Sequence, residues 1–368
     1  MAPQGPPPNI RQALESAGAH YMNLIEFGII KAFIDFKVFD NIPSEGSISL
    51  ADLSSNTGGD ESLLRRFADY LIASEILASP SPSHVAHTAR SLPYRTTEIA
   101  ADFISHVYHF FLRPMATWAA YFEQNGLVEP RDADKIPLGL CTGHSGLDLY
   151  GVLDAEPQLA KLFNSAQERS ARIYSLKDVY DFSYVREVLV EADTTRPAIV
   201  DIGGSHGLAL GEILVDNAFI PAAQCTVFDL PKTIKTITSN IEAVNGSLSE
   251  VQFLGGTMLK PLPPAIKGAV VYHLRRVLSD FVDKDIVLTL NHVREACAAD
   301  SRVLLVEELV KPNRGKFAIA QDISVMNFGG KRRSEAMWRD LAEQAGLRLS
   351  SVFEEAKSEF AVLELLPI

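Results

Sequence analysis

The stretch from residue 197 to 215 constrains this chain more than any other. Pro197-Ala198-Ile199-Val200-Asp201-Ile202 is a short apolar strand with a carboxylate near its end, followed by Gly203-Gly204-Ser205-His206-Gly207 and then by an apolar helix from Leu208 to Val215. Strand, glycine turn and helix in that order form the first unit of a parallel, doubly wound α/β sheet, and ligands sit beyond the carboxyl ends of such strands. Glycines in the turn let the backbone take positive φ and approach a ligand closely. The turn reads D-x-G-G-x-x-G and lacks the G-x-G-x-x-G register of a dinucleotide site. A pyrophosphate seeks bare amides at a helix N-terminus. The Asp201 carboxylate would repel it, and suits a cationic amino-acid group instead.

Further strands extend the sheet. Gln224-Cys225-Thr226-Val227-Phe228-Asp229 ends in a second acid, 22 residues beyond Gly207 (229 − 207). A carboxylate at that distance is placed to accept both ribose hydroxyls of an adenosine. Val251 to Leu254 leads into Gly255-Gly256-Thr257-Met258, and Gly268 to His273 precedes Arg275-Arg276-Val277-Leu278-Ser279-Asp280-Phe281. Ser301 to Glu308 is a fifth strand; Arg348 to Phe353 and Phe360 to Leu366 make a last pair.

The N-terminal third is different. Leu14, Tyr21, Leu24, Ile25, Ile29, Ile30 and Phe33 recur at helical spacing between Ile10 and Phe39. A helix apolar over so wide an arc must be covered by another element or another subunit. Two helices follow, around Ser49 to Leu53 and Leu63 to Leu77, joined by Thr57-Gly58-Gly59-Asp60 with Asp60 as N-cap, and His84 to Tyr94 has the texture of a small β-wing. This is a winged helix-turn-helix pattern. Its second helix offers Arg65 and Arg66 among several carboxylates, too little cation for a groove-reading helix. With a net charge of −12, packing and dimerisation are expected of it, not nucleic-acid binding. A long helical region, interrupted at Pro114, at 129–132 and from Gly139 to Gly146, runs to about Val190. The expected organisation is a dimerisation domain over 1–95, a helical linker and substrate-pocket region over 96–193, and a cofactor domain over 194–368.

No apolar stretch reaches the roughly 18 uncharged residues of a membrane span, and the Pro-rich Met1–Pro8 segment lacks the basic start and apolar centre of a secretory signal. A cytoplasmic protein without a membrane partner is expected. Cys141, Cys225 and Cys297 are far apart, without C-x-x-C spacing, and read as thiols; no metal site is expected. Lys331-Arg332-Arg333 reads as a solvated loop.

Four motifs in order, V-D-I-G-G-S-H-G (Val200–Gly207), F-D-L-P (Phe228–Pro231), L-R-R-V-L-S-D-F (Leu274–Phe281) and G-G-K-R-R-S (Gly329–Ser334), give a sequence that resembles the S-adenosylmethionine-dependent O-methyltransferases of plant and fungal secondary metabolism. The resemblance implies a Rossmann-like methyltransferase domain behind a winged-helix domain that intertwines two subunits of a homodimer. It implies S-adenosylmethionine, or S-adenosylhomocysteine, as the bound cofactor. Asp201, Gly203, Gly204 and Gly207 would hold its amino-acid end, Asp229 and Leu230 the ribose and adenine, and Met258 would pack on the ring. Thr257 stands where the family commonly has an acid, and Arg275 takes the place of a basic pocket residue.

The resemblance also breaks at one position. The family's loop after the fourth strand reads H-D-W, and its His removes the proton of the acceptor hydroxyl. Here the triplet is Ser279-Asp280-Phe281. A serine hydroxyl holds no proton at neutral pH, and general-base catalysis is worth about 10²–10⁴-fold. Glu307 keeps one acid that orients the family's His; Arg332 stands where the other is expected. Three outcomes remain open: methyl transfer with another base or a self-ionising acceptor, other chemistry on a retained cofactor, or an idle dimeric scaffold. The second is the expectation. It makes the chain similar to the fungal O-methyltransferase-like pericyclases, which close rings or dehydrate polyketide-type substrates without consuming the cofactor, so the substrate would be a small apolar natural product. Ser279, Asp280 and His144 are the catalytic candidates. His144 lies four residues before Asp148, and on a helix the carboxylate would set the tautomer of the imidazole. His273, which ends the fourth strand, reads as a satisfied core histidine.

Overall fold

The computed structural model describes residues 9–171, 176–177, 179–191, 196–238, 246–354 and 360–368. The Met1–Pro8 segment and the expected domain start at 194 lie outside the described residues. Two compact units meet between His109 and Phe110, so the helical region expected as one piece over 96–193 is divided between them.

In the first unit, α1 (Ile10–Asp35) precedes β1 (Ile48–Ser49), α2 (Leu50–Thr57), α3 (Glu61–Ala73), β2 (Leu77–Ala78), β3 (His84–His87) and α4 (Ile99–Val107). Ser49 caps α2 by accepting the Asp52 N–H at 3.0 Å, Gly58 ends it at φ +69°, and Asp60 caps α3 by accepting the Leu63 N–H at 2.9 Å. The strands form a three-stranded antiparallel sheet in the order β1-β3-β2. Phe33, Phe39, Leu53, Leu71 and Ala101 of α4 share one core, which is why α4 belongs here. Among the described side chains of α1, Leu14, Tyr21 and Leu24 are bare, at 67%, 67% and 57% exposed.

Among the described residues, the N-terminal part of the second unit holds α5 (Arg113–Ala116), α6 (Trp118–Asn125), α7 (Pro137–Thr142), α8 (Leu149–Ala155), α9 (Pro157–Ala171) and α10 (Ser183–Glu191). Pro114 sits in the first turn of α5, where its missing N–H costs nothing. Gly139 lies inside α7, so the break expected from that residue starts at Gly143, whose φ is +79°. Then come β4 (Ile199–Ile202), α11 (Leu208–Asp216), β5 (Cys225–Asp229), α12 (Pro231–Thr238), β6 (Gln252–Gly255), β7 (Val271–Arg275), α13 (Asp283–Ala296), β8 (Arg302–Glu308), α14 (Lys316–Val325), α15 (Glu335–Gln344), β9 (Leu347–Glu354) and β10 (Phe360–Pro367).

The sheet order is β6-β5-β4-β7-β8-β10-β9, parallel from β6 to β8, with β10 antiparallel to both its neighbours. Both faces are buried, which explains the near-continuous apolar strands. One face packs Val200, Ile202, Tyr272 and Leu274 against Ile286, Leu290, Trp338 and Leu341; the other packs Ile199 and Val271 against Val185, Leu210 and Ile213. The chain winds from β4 outward to β6, then returns to β7 on the other side of β4. That reversal opens a crevice at the carboxyl ends of β4 and β7. The fourth strand of this sheet begins at Val271 and not at Gly268, which takes φ +70°. Among the described residues no helix is long and apolar enough to cross a membrane, no group of His, Cys, Asp and Glu is arranged to hold a metal, and the three cysteines are free.

Candidate active site

The crevice is an open pocket, and its wall contains Asp201, Gly203, Gly204, Asp229, Leu230, Thr257, Met258, Arg275 and Asp280. The turn after β4 needs its glycines. Gly203 has φ +70°, and a Cβ on it would lie 2.7 Å from Val277 Cγ2; a Cβ on Gly204 would collide with the Asp201 carboxylate. Gly207, also at φ +70°, is the N-cap of α11 and shapes the turn without reaching the wall.

Two carboxylates frame this end. Asp201 is 1% exposed, takes a hydrogen bond from His273 Nδ1 at 2.8 Å on Oδ1, and leaves Oδ2 buried without a partner. Asp229 accepts the Ser205 N–H at 2.9 Å on Oδ2 and the Leu230 N–H at 2.6 Å on Oδ1. Burial raises its pKa from the ordinary carboxylate value, and these amides oppose the rise. Ser205 is held at φ +46°, a left-handed conformation that costs a non-glycine residue about 1–3 kcal/mol. Arg275 donates from its guanidinium to Glu212 at 3.2 Å. A cradle cut to exclude Cβ atoms, an orphaned carboxylate oxygen and a second acid 28 residues on (229 − 201) fit a ligand with a cationic head and a nucleoside diol.

The pocket continues past Tyr150 and Phe281, whose rings stack 5.9 Å apart, to Asp148 and Asp280. Ser279 lies in a 3-10 turn, 4% exposed and off the pocket wall. Its carbonyl accepts the Lys331 N–H at 3.0 Å, and a Cβ on Gly330 would collide with that carbonyl. Of the triplet, Asp280 and Phe281 line the pocket, and Asp280 is the one that can hold a proton. Burial pushes its carboxyl up to about 6, with Arg332 and Arg276 pulling the other way and Glu308 adding to the rise. Glu307, 1% exposed, accepts the Leu278 N–H at 3.2 Å; burial pushes it to about 7, opposed by Arg332, while the Asp280 charge raises it further.

The basic triplet behind this loop is no solvated loop. Arg333 is 1% exposed and donates to Asp283 at 2.7 and 2.9 Å and to the Phe281 carbonyl at 2.9 Å. Arg332 pairs with Glu308 at 3.3 Å, and Lys331 with Glu129 and Asp283 at 3.1 and 3.0 Å. Carboxylates brought from distant parts of the chain make burial of this charge tolerable.

His144 is not on the pocket wall. It sits in the turn after α7, with Nε2 3.0 Å from Glu156 Oε1, while Asp148 caps α8 by accepting the Gly151 N–H at 2.7 Å. The two share no helix face, because Gly143 and Gly146 take φ +79° and +93° between α7 and α8. Tyr150 is one of the pocket residues that the sequence did not single out, with Phe163, Asn164, Gln167 and Thr233; an aromatic inside a short apolar helix carries no local signal of its exposure to a cavity. His273 of β7 and Asp201 of β4 stand in register on neighbouring strands, a pairing that only the order of the strands in the sheet reveals.

Comparison with known proteins agrees with this geometry. The O-methyltransferase domain family matches residues 141–348, and the O-methyltransferase dimerisation domain family matches residues 20–106. Methyltransferase phm5 of Pyrenochaetopsis sp is 61% identical over 366 residues, covering 99% of each chain. Among solved structures, OxaC in complex with sinefungin and meleagrin superposes with a TM-score of 0.85 at 23% identity, over 99% of this chain and 89% of that one. LepI in complex with SAM does so at 0.80 and 16%, over 96% and 89%. At those identities OxaC and LepI speak to the fold alone. This chain belongs to the O-methyltransferase family, with the O-methyltransferase domain preceded by the family's dimerisation domain.

Proposed function

We propose that this protein binds S-adenosylmethionine in the crevice at β4, β5 and β7 and transfers a methyl group to a small natural product, working as a homodimer. The observation that carries the transfer is the whole-length, 61% identity to a chain named a methyltransferase. It outweighs the ring-closing chemistry that the sequence alone favours.

The cofactor supplies a methyl group made electrophilic by its sulfonium. The protein supplies placement and a proton acceptor. Asp229, fixed by the Ser205 and Leu230 amides, would accept the ribose hydroxyls, and Leu230 and Met258 would hold the adenine. Asp201 offers the free Oδ2 to the cationic amino-acid end, next to the Gly203–Gly204 backbone. An acceptor lying against Tyr150 and Phe281 faces Asp280, whose carboxyl titrates at about 6. That value lets it be ionised at neutral pH and still take a proton from an acidic acceptor heteroatom. With Ser279 in the place of the family's imidazole, acceptors that ionise readily are the ones this site serves. Homodimer formation accounts for the bare face of α1 with Leu14, Tyr21 and Leu24.

The second reading keeps the cofactor as a fixed charge and closes a ring on a polyketide-type substrate. Ser279 favours it, since such a reaction needs no base there. The two separate on a panel of acceptors graded in acidity, from carboxylic acids and acidic enols through phenols to alkanols. Methyl transfer predicts S-adenosylhomocysteine formation that falls off with decreasing acidity; no S-adenosylhomocysteine with any acceptor, where a substrate is nonetheless converted, returns the choice to the second reading.

A further inference from the structure

His273 has no place in the mechanism above, yet it is the most deeply buried imidazole near the pocket. It lies at the middle of β7, paired with Asp201 of β4 in parallel register, on the face that carries Leu210, Ile213, Leu304 and Val306. Its side chain is fully buried and that of Asp201 is 1% exposed, with Nδ1 and Oδ1 2.8 Å apart. A carboxylate accepts only, so Nδ1 carries the proton and donates. The other ring nitrogen, Nε2, is buried without a partner. Leaving such an atom unpaired is unfavourable, and an aliphatic or phenyl side chain would fill this apolar setting without it. Packing therefore does not explain the histidine.

Its one polar contact does. Asp201 is held by the Nδ1 bond on one oxygen, while the other, Oδ2, lies unpartnered directly under Gly204 of the cofactor turn. A carboxylate free to rotate about its Cβ–Cγ bond would not keep that oxygen there. We propose that His273 is a positioning residue: through Nδ1 it fixes the Asp201 carboxylate so that Oδ2 serves as the counter-charge for the ammonium group of the cofactor's amino-acid end. The inference rests on the cofactor reading above, and is independent of which reaction follows.

The test is cofactor binding without acceptor, by calorimetry on the full chain. The probes are S-adenosylmethionine and 5′-methylthioadenosine, which keeps the nucleoside and lacks the amino-acid end. His273→Phe removes the donor and should raise Kd for S-adenosylmethionine about tenfold or more, the size of one hydrogen bond to a charged group. Kd for methylthioadenosine should stay within twofold, and the thermal midpoint of the free protein should fall, because Asp201 is left buried without a partner. His273→Asn, whose amide nitrogen occupies the place of Nδ1, should recover most of the lost affinity, and Asp201→Asn should show the same selective loss as His273→Phe. Equal weakening of both ligands in every folded variant marks a merely structural role and overturns the proposal, as does unchanged binding of both. If His273→Phe does not fold, the Asn variants decide on the same criteria. Wild-type protein that binds neither ligand overturns the cofactor reading and this inference together, whereas wild-type binding with indifferent variants overturns this one alone.

Discussion

Replacing Asp280 with asparagine should make the free protein more stable and the enzyme far less active. The carboxyl rises from 3.8 to about 6 on folding, and at roughly 1.4 kcal/mol per pKa unit that corresponds to about 3 kcal/mol against the ionised form. The side chain is part-exposed to the pocket, so solvent reduces the effect to about 1–2 kcal/mol. The sign follows from proton linkage. Between about pH 4 and pH 6 the folded state holds a proton that the unfolded chain has released, so wild-type stability falls as pH rises through that window. Asparagine cannot ionise. Urea melts should therefore find Asp280→Asn equal to wild type near pH 4 and more stable at pH 8 by that amount. Turnover at pH 8 should drop by about 10²–10⁴-fold, as expected for loss of a general base, and the acidic limb of the wild-type kcat/KM profile, centred at about 6, should vanish. A variant no more stable than wild type at pH 8, or one that keeps its activity within threefold, would refute the assignment of Asp280.

Other outcomes follow from the same geometry. Gly203→Ala forces a Cβ to 2.7 Å from Val277 at φ +70°, and should cost about 1–3 kcal/mol by denaturant melts along with measurable cofactor binding. Asp229→Ala removes the acceptor fixed by two amides, so Kd for S-adenosylmethionine should rise roughly a hundredfold, by calorimetry, for two lost hydrogen bonds to charge. His144→Ala should leave kcat/KM within twofold, because the imidazole contacts Glu156 away from the pocket wall; its stability should change by less than about 1 kcal/mol, the worth of an exposed ion pair. Leu24→Glu on the bare face of α1 should convert a dimer to a monomer in sedimentation velocity.

The crevice at the ends of β4 and β5 was readable because its determinants are local. Strands buried on both faces show as apolar runs, their carboxylate ends mark the crevice, and the glycines at 203 and 204 answer to contacts within a few residues or to the next strand's loop. The cap at Asp60 was readable for the same reason. What the sequence hid depends on distant chain. Lys331 to Arg333 looked solvated until Glu129, Asp283 and Glu308 were brought beside them. His144 and Asp148 carry a helical spacing that Gly143 and Gly146 interrupt. The Ser279-Asp280-Phe281 triplet was in plain view, but the turn that buries Ser279 and presents Asp280 to the pocket is a property of the folded loop.

Following the methyl carbon tests the proposed function most directly. Incubate the protein with methyl-labelled S-adenosylmethionine and a readily ionised acceptor that it converts, then measure label in the product against S-adenosylhomocysteine released. One labelled methyl per S-adenosylhomocysteine is the predicted result. Product that requires the cofactor, carries no label and leaves the S-adenosylmethionine intact would contradict it.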